Sequence, residues 1–307
     1  MRMARRIPIV MAWLVACSPE APPAPAPAST AGSDTVWRLP VLPDDSIPDD
    51  ALGASIRRGR ALLTATGDSL PAHVGNALRC TSCHLDAGTR ALSAPWVGVY
   101  SRFPEYRSRN ARINLIEERI NNCFERSMNG SALPEGSSAL ADMVAYYAFL
   151  SRNVAPPGQV DGQGFARLTP LEGDSARGRR IFVAQCVRCH GADGEGLPNP
   201  DPQGDPARYP PLWGPQSFNI GAGMSRLRTA AAFIRHNMPF DRPGTLTDQE
   251  AFDVARYMTL QPRPDFAGKE ADWPLGDAPP DVAYRTRAAK SEPGPLAPLL
   301  PAARPRR

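Results

Sequence analysis

Cys80-Thr81-Ser82-Cys83-His84 and Cys186-Val187-Arg188-Cys189-His190 are two copies of one short pattern, Cys-x-x-Cys-His. Such a pattern is the attachment signature of c-type haem, in which the two thiols bond the porphyrin and the histidine binds its iron. A zinc site or a thioredoxin-like site is the competing interpretation of a single copy, but two copies outside any β-α-β pattern favour haem. We therefore predict two covalently bound haem c groups, held by Cys80, Cys83, Cys186 and Cys189 and ligated by His84 and His190.

The chain around each motif follows the same plan. A helical pattern precedes each motif, and a strongly apolar helical pattern closes each unit, at 143–150 and 253–260. Aligning the closing patterns pairs Tyr147 with Tyr257. A haem also supplies much of the apolar core that so few residues could not build alone. We therefore predict an all-α fold of two class I-like cytochrome c domains in tandem, each wrapped round one haem.

Proline and glycine divide the chain into segments. The 307 residues include 35 prolines, so much of the chain can form neither helix nor strand. We predict these boundaries: signal peptide 1–16, Pro/Ala-rich tether 17–48, first domain 49–153, linker 154–170, second domain 171–262 and Pro-rich tail 263–307. The tail retains aromatic residues, so we expect it to lie extended over the domains and to be disordered near its end.

The N-terminus has the layout of an export signal. Basic residues precede an apolar run that is too short to span a membrane. Leu14-Val15-Ala16-Cys17 resembles the lipobox of bacterial lipoproteins, with an ordinary signal peptide as the alternative. Because bacteria attach c-type haem outside the cytoplasm, we expect a periplasmic protein anchored to the outer membrane through a lipid on Cys17 alone. The formal net charge of +4, without a dense Lys/Arg block, gives no support to a nucleic-acid partner.

The distal iron ligands must come from outside the motifs. In the second domain Met238 is the strongest candidate, because it follows a helical pattern and precedes a loop into the closing helix. His236 competes with it. In the first domain, His73 is a further possible ligand.

Two residues compete most directly for the distal position of the first domain. Met128 precedes Tyr147 by as many residues as Met238 precedes Tyr257, so the repeat nominates Met128. Cys123 lies on an apolar helix stripe with spacings of three and four, and so points inward. On the residues alone, Cys123 stays open between packing, a role as iron ligand or nucleophile, and a disulfide with another molecule.

Several stretches together resemble the thiosulfate dehydrogenase family of dihaem c-type cytochromes, which interconvert thiosulfate and tetrathionate. The resemblance covers about 75–286 and rests on Gly75–Leu78, Cys83–Thr89, Phe103–Arg107, Glu118–Cys123 and Arg126–Gly130.

The resemblance implies roles for particular residues. Cys123 corresponds to the distal ligand of the first haem and the active-site residue, which leaves Met128 to packing. Arg109, Arg119 and Ser127 correspond to substrate-contacting residues, and guanidinium groups suit sulfonate oxygens. Partnership with haem propionates is the alternative for the arginines.

At the second haem, some family members place a lysine beside the methionine and exchange the two ligands. Here the neighbour is Asn237, which cannot bind iron that way. We expect His190/Met238 ligation in both oxidation states.

A thiolate at the first haem suggests a covalent route. We expect the Cys123 sulfur to form an adduct with one thiosulfate and a second thiosulfate to release tetrathionate, while electrons pass through the second haem to a small soluble cytochrome c or a terminal oxidase. Two other functions compete with this one. In the first alternative, the chain is a membrane-anchored electron carrier with His84/Met128 ligation. In the second, it is a haem subunit that couples thiosulfate to a carrier protein.

Overall fold

The structure, a computed structural model, describes residues 38–198, 209–290 and 298–301. Its α-helices are α1 Ala51–Thr64, α2 Thr66–Ser69, α3 Leu85–Gly88, α4 Ile116–Arg126, α5 Ser138–Leu150, α6 Ser175–Gln185, α7 Val187–His190, α8 Leu227–Asn237 and α9 Asp248–Thr259. Short 3-10 turns lie at Asp44–Ser46, Cys80–Ser82, Tyr100–Arg102, Gly223–Ser225 and Lys269–Ala271. The predicted signal peptide, Cys17 and most of the tether lie outside the described residues.

Strands contribute little to the fold. An antiparallel pair joins β1 (Glu105–Arg107) to β2 (Arg112–Asn114), and a parallel pair joins β3 (Arg263–Pro264) to β4 (Leu299–Leu300). Within the described ranges these are the only sheets. None of the helices in that part of the chain is long and apolar enough to cross a membrane.

Each domain is built on a crossing of its first and last long helices. In the first domain, α1 crosses α5 at Gly59, where an added Cβ would lie 1.9 Å from the carbonyl oxygen of Asp142. In the second domain, α6 crosses α9 at Gly178, where an added Cβ would again lie 1.9 Å from a carbonyl oxygen, that of Asp253. Only glycine permits backbones to approach so closely. The two crossings are therefore structurally equivalent.

Buried carboxylates strengthen both crossings. The Asp142 side chain accepts hydrogen bonds from Ser55 (2.5 Å) and Arg58 (2.8 and 2.9 Å). The Asp253 side chain, fully buried, accepts from Arg177, from the Asp174 backbone (2.8 Å) and from Gln249 (2.9 Å). In each domain the arginine directly precedes the crossing glycine. This repeated detail was not visible in the apolar pattern.

The crossings correct the register of the internal repeat by one residue. Because Asp142 matches Asp253, it is Tyr146 rather than Tyr147 that matches Tyr257, one turn further along each helix. The ring packing agrees, since Tyr146 meets Trp96 edge-on at 82° and Tyr257 meets Trp213 edge-on at 83°. The sequence alignment was wrong because Tyr146 and Tyr147 are both buried, so hydrophobicity could not distinguish them.

The corrected register removes the counting argument for Met128. Met238 now matches Ser127 in the first domain, one residue before Met128. Neither residue is thereby made a ligand, since side-chain chemistry and placement decide that question.

The linker and the tail pack on the domains. Leu92 and Ala94 of the first domain donate backbone hydrogen bonds to Gly162 (2.7 Å) and Gly164 (2.8 Å) of the predicted linker. Trp273 of the tail, 3% exposed, donates its backbone N–H to the Arg109 carbonyl of the first domain at 2.7 Å. The tail also buries Val282 and Tyr284 in a small cluster with Ile220 and Trp273.

Candidate active site

A narrow cleft with a volume of about 40 Å³, partly open to solvent, lies in the first domain. Its lining includes the two cysteines and the histidine of the first motif and the inward face of α4, together with two residues of the second domain. These side chains are Leu63, Leu78, Arg79, Cys80, Cys83, His84, Ile120, Cys123, Ser127, Met128, Tyr147, Phe218 and Met224. The fold therefore brings five predicted site residues to one cavity: Cys80, Cys83, His84, Cys123 and Ser127.

Both motif histidines are oriented by a backbone carbonyl. Nδ1 of His84 lies 2.6 Å from the Ala94 oxygen, and Nδ1 of His190 lies 2.8 Å from the Pro210 oxygen. Such a bond places a proton on Nδ1, so Nε2 is the ring nitrogen left to bind a metal. The tautomer that haem ligation needs is built into both domains.

Cys123 is the only cysteine of the first cleft that carries thiolate character. Arg119, one turn earlier on α4, donates from Nη1 to the Cys123 Sγ at 2.9 Å. Burial alone would raise the pKa of Cys123, but the Arg119 charge and hydrogen bonds from His84 and Arg119 outweigh it and lower the pKa to about 6. The thiolate is the form that attacks sulfur and binds metal.

Three motif cysteines, Cys80, Cys83 and Cys186, behave in the opposite way. Burial raises the pKa of Cys80 and of Cys83 to about 12, and that of Cys186 to about 12. These groups are neutral thiols in the protein chain. Burial thus disfavours ionisation of these three cysteines, whereas the surroundings of Cys123 favour it.

These residues fit c-type haem. Each domain supplies two neighbouring thiols and an imidazole with Nε2 free to coordinate, and the first domain surrounds them with an apolar cleft. Trp96 packs against the His84 ring at 5.2 Å, and its buried Nε1 lacks a hydrogen-bond partner among the described residues. A buried donor of that kind is expected to meet an acceptor on a bound group.

The competing ligand candidates are placed as follows. Met128 is 3% exposed and lines the same cleft as Cys123. His73 lies against the Ser131 and Ala132 carbonyl oxygens, at 3.3 and 3.1 Å, and is not among the cleft-lining residues.

In the second domain, Met238 packs against the same core cluster as Cys186. His236 is half-buried on α8, where burial and then Arg235 lower its pKa. Asn237 donates its side-chain amide to the Leu92 oxygen of the first domain at 3.1 Å, which fixes the residue beside Met238.

Arg109 lies in a different cluster from Arg119. Its Nη1 donates to the Gly221 carbonyl at 2.6 Å, its guanidinium stacks 4.7 Å from the Trp273 ring, and Asp272 lies 3.8 Å away. Burial lowers the pKa of Arg109 to about 10. The sequence therefore predicted one arginine group where the structure has two.

Asp272 organises this second arginine group. It accepts two hydrogen bonds from Arg126, both at 2.8 Å, and one from the Tyr284 hydroxyl at 2.5 Å. Sequence reasoning missed Asp272 because it lies in the Pro-rich tail, far from either motif. Its spacing from Trp273 and Tyr284 carried no signal of a site.

A segment of the second domain, residues 216–224, closes the first cleft. Asn219 donates its amide to the Glu125 carbonyl (2.8 Å) and to Asn129 (3.0 Å), at the end of α4. Phe218 and Met224 of this segment reach the cleft itself. Neither was predicted as a site residue, since no motif marks them.

Comparison with known proteins places this geometry in a family. The family described as "SoxA/TsdA, cytochrome c domain" matches residues 72–155, and the cytochrome c family matches residues 175–261. The thiosulfate dehydrogenase of Psychrobacter arcticus is 47% identical over 259 residues, covering 83% of this chain and 78% of that protein. The chain belongs to the thiosulfate dehydrogenase family. A second family member, from Allochromatium vinosum, is 44% identical over 276 residues, covering 86% of this chain and 96% of the relative.

A solved structure of the same family has the same fold. It is the thiosulfate dehydrogenase TsdBA from Marichromatium purpuratum in its "as isolated" form, 34% identical with a TM-score of 0.72. The match covers 82% of this chain and 57% of that chain. The predicted fold of two cytochrome c domains in tandem is confirmed, and the protein is a haem c-binding oxidoreductase of this family.

Proposed function

We propose that this protein oxidises two thiosulfate ions to one tetrathionate ion at Cys123, and passes the two electrons to an external acceptor. The observation that carries the proposal is the placement of Cys123 in one cleft with His84, where its sulfur accepts a hydrogen bond from Arg119 at 2.9 Å. Family membership supplies the substrate, since the relatives are named as thiosulfate dehydrogenases.

The chain's residues have the following roles in the proposal. The Cys123 sulfur bonds the outer sulfur of thiosulfate, and this step releases two electrons and leaves a Cys123 S-thiosulfonate. A second thiosulfate attacks that adduct, breaks the bond to Cys123 and leaves as tetrathionate, which regenerates the thiolate. Dividing the reaction avoids the direct coupling of two dianions. The same steps in reverse reduce tetrathionate.

Arg119 supports both steps by charge. Its guanidinium already stabilises the Cys123 thiolate at 2.9 Å and suits the sulfonate oxygens of an incoming anion. Ser127, one turn beyond Cys123, offers a hydroxyl to the same cleft. Arg109 and Arg126 add positive charge at the domain junction, where Asp272 partly neutralises it.

Two covalently bound haem c groups, on Cys80/Cys83 and Cys186/Cys189, supply one-electron acceptors when bound. The proposed axial ligands are His84 and Cys123 in the first domain, and His190 and Met238 in the second. We further propose a periplasmic location, a lipid anchor on Cys17 at the outer membrane, and a small soluble cytochrome c or a terminal oxidase as electron acceptor.

Turnover with thiosulfate and ferricyanide, combined with product analysis, tests this function. We expect two ferricyanide ions reduced per tetrathionate formed, and a thiolate-ligated signal in the electron paramagnetic resonance spectrum of the oxidised protein. Methionine signatures from both haems without turnover would indicate the electron carrier instead. Consumption of thiosulfate only with a partner protein's cysteine, without tetrathionate, would indicate the carrier-coupled haem subunit.

A further inference from the structure

Asn219, from the second domain, lies buried against the helix that carries Cys123. It is 1% exposed, so its polar atoms need hydrogen-bond partners within the protein. Nδ2 donates to the Glu125 carbonyl at 2.8 Å and to Oδ1 of Asn129 at 3.0 Å, and Oδ1 accepts from the Gly221 N–H at 3.0 Å. An amide supplies donors and an acceptor at once, and all of these are used here.

The contacts of Asn219 complete the C-terminal end of α4. The last four carbonyl groups of a helix have no partner within it. Two of these four in α4 accept from N–H groups of the chain that follows the helix. The other two, on Glu125 and Arg126, accept from Asn219, through Nδ2 at 2.8 Å and the backbone N–H at 3.1 Å. A single residue of the second domain therefore caps half of this helix end.

The capped turn leads directly into Ser127. This residue follows the end of α4, lies one turn beyond Cys123 and lines the first cleft. Its N–H donates to the Cys123 carbonyl at 2.8 Å, and its own carbonyl accepts from Nδ2 of Asn76 at 2.8 Å. Because the two carbonyls before it are held by Asn219, the placement of Ser127 depends on the second domain.

We propose that Asn219 is a positioning residue, which fixes the last turn of α4 so that Ser127 stays in the cleft with Cys123. The inference rests on the proposed function, in which the Ser127 hydroxyl meets the substrate. Helix ends fray when they are not capped, and a small displacement of a substrate-contacting group lowers the rate of the reaction. The electron-transfer domain thereby also shapes the substrate site of the catalytic domain.

A double-mutant cycle on thiosulfate–ferricyanide turnover tests the proposal. N219L keeps the approximate size of the side chain but loses its hydrogen bonds, and S127A removes the hydroxyl. We expect each variant to lower kcat/KM about tenfold and the double variant to be no worse than either, because Asn219 acts through Ser127. Independent effects would multiply to about 100-fold, and that result would overturn the proposal. A defect in N219L beside a fully active S127A would also overturn it.

Hydrogen exchange of the holoprotein gives a readout that does not depend on turnover. The N–H groups of Ser127, Met128 and Gly130 donate to carbonyls of α4 at 2.8 to 2.9 Å, so their exchange reports on the last turn. We expect them to exchange about tenfold faster in N219L, with α5 unchanged. Unchanged exchange of the three groups would contradict the proposal. If the wild type does not turn over thiosulfate, the proposed function fails, and the exchange result alone decides the role of Asn219.

S225A is the matched control. Ser225 is 2% exposed and directly follows the 216–224 segment, where it donates to the Ile220 carbonyl at 2.6 Å and the Ala222 carbonyl at 2.7 Å. It makes no hydrogen bond to α4 among the described residues, so S225A should keep wild-type kcat/KM and exchange. Defects in S225A equal to those of N219L would assign the effect to the whole segment and overturn the proposal. If N219L yields no holoprotein, N219A, which adds no bulk, takes its place in both measurements and decides.

Discussion

The two domains share a frame and differ in the sulfur side chain that is the proposed iron ligand. Both cross their terminal helices at a glycine, Gly59 and Gly178, and both clamp a buried aspartate with the arginine before it. The first domain then presents Cys123 with Arg119, a thiolate and a cation. The second presents Met238, a neutral thioether, beside an amide tied to the first domain. In the proposed function, the shared frame would hold the haems, and these few side chains would distinguish the catalytic domain from the electron-transfer domain.

Replacing Cys123 with glycine should have the largest effect, because it removes the side chain that most distinguishes the first domain from the second. Turnover should fall on the order of 10³-fold or more, because the nucleophile is lost while both attachment motifs stay intact. Thiosulfate–ferricyanide assay and haem content measure the two effects. N122G introduces the same helix-weakening glycine one residue earlier and should keep most of the activity. Retained turnover in C123G would exclude the covalent route.

Replacing Arg119 tests whether charge makes Cys123 different from the sulfur ligand of the second domain. R119M should lower kcat/KM about 10²-fold, since a preorganised donor to the reacting group is removed. The kcat/KM of R119K should lie between those of R119M and the wild type, because lysine keeps the positive charge but lacks the two-pronged guanidinium donor. R112M, which removes an arginine with 64% side-chain exposure, is the matched control. Equal kinetics for R119M and R112M would assign Arg119 a structural role only.

Replacing Met238 tests the electron-transfer side. M238A should lower the reduction potential of the second haem on the order of 100 mV, because axial ligation sets that potential. The thiolate signature of the first haem should remain. H236A, on the same helix end, should leave the potential unchanged. A large shift in H236A with none in M238A would reverse the ligand assignment.

Substitutions at the two helix crossings, which both domains share, should have the smallest effect. D253N should destabilise the holoprotein by about 2 kcal/mol, because its fully buried carboxylate loses the charge that holds its hydrogen-bond donors. D142N should destabilise it less, since the Asp142 side chain is 10% exposed and its partner Arg58 is 60% exposed, against 46% for Arg177. Thermal unfolding measures both. Burial alone would raise the pKa of Asp253, but its hydrogen bonds outweigh burial and lower it. Its contribution is therefore complete at neutral pH and is lost as pH falls below about 4.

An equal effect of D253N and D142N would show that burial of the carboxylate does not distinguish the two crossings. A difference between wild type and D253N that grew toward acid pH would contradict the sign of the pKa shift.

The sequence allowed the fold to be predicted because covalent haem attachment leaves a local signature and the helices bury periodic apolar faces. Cys123 and Arg119 were also within reach, since they lie one turn apart on one helix. Phe218 and Asp272 were not, because each contacts residues that are distant in sequence. The error of one residue in the repeat has a related cause, since two adjacent tyrosines are both buried.

The wall formed by residues 216–224 limits how this protein can be divided. The first cleft borrows Phe218 and Met224 from the other domain, and Asn219 fastens that wall to α4. A chimera joined within the 154–170 linker would keep each haem motif whole. However, the residues of the second domain that line the first cleft would then come from a different protein. Recombination between relatives should therefore succeed only when both domains come from one parent. The two duplicated domains therefore have to be exchanged together, as one unit.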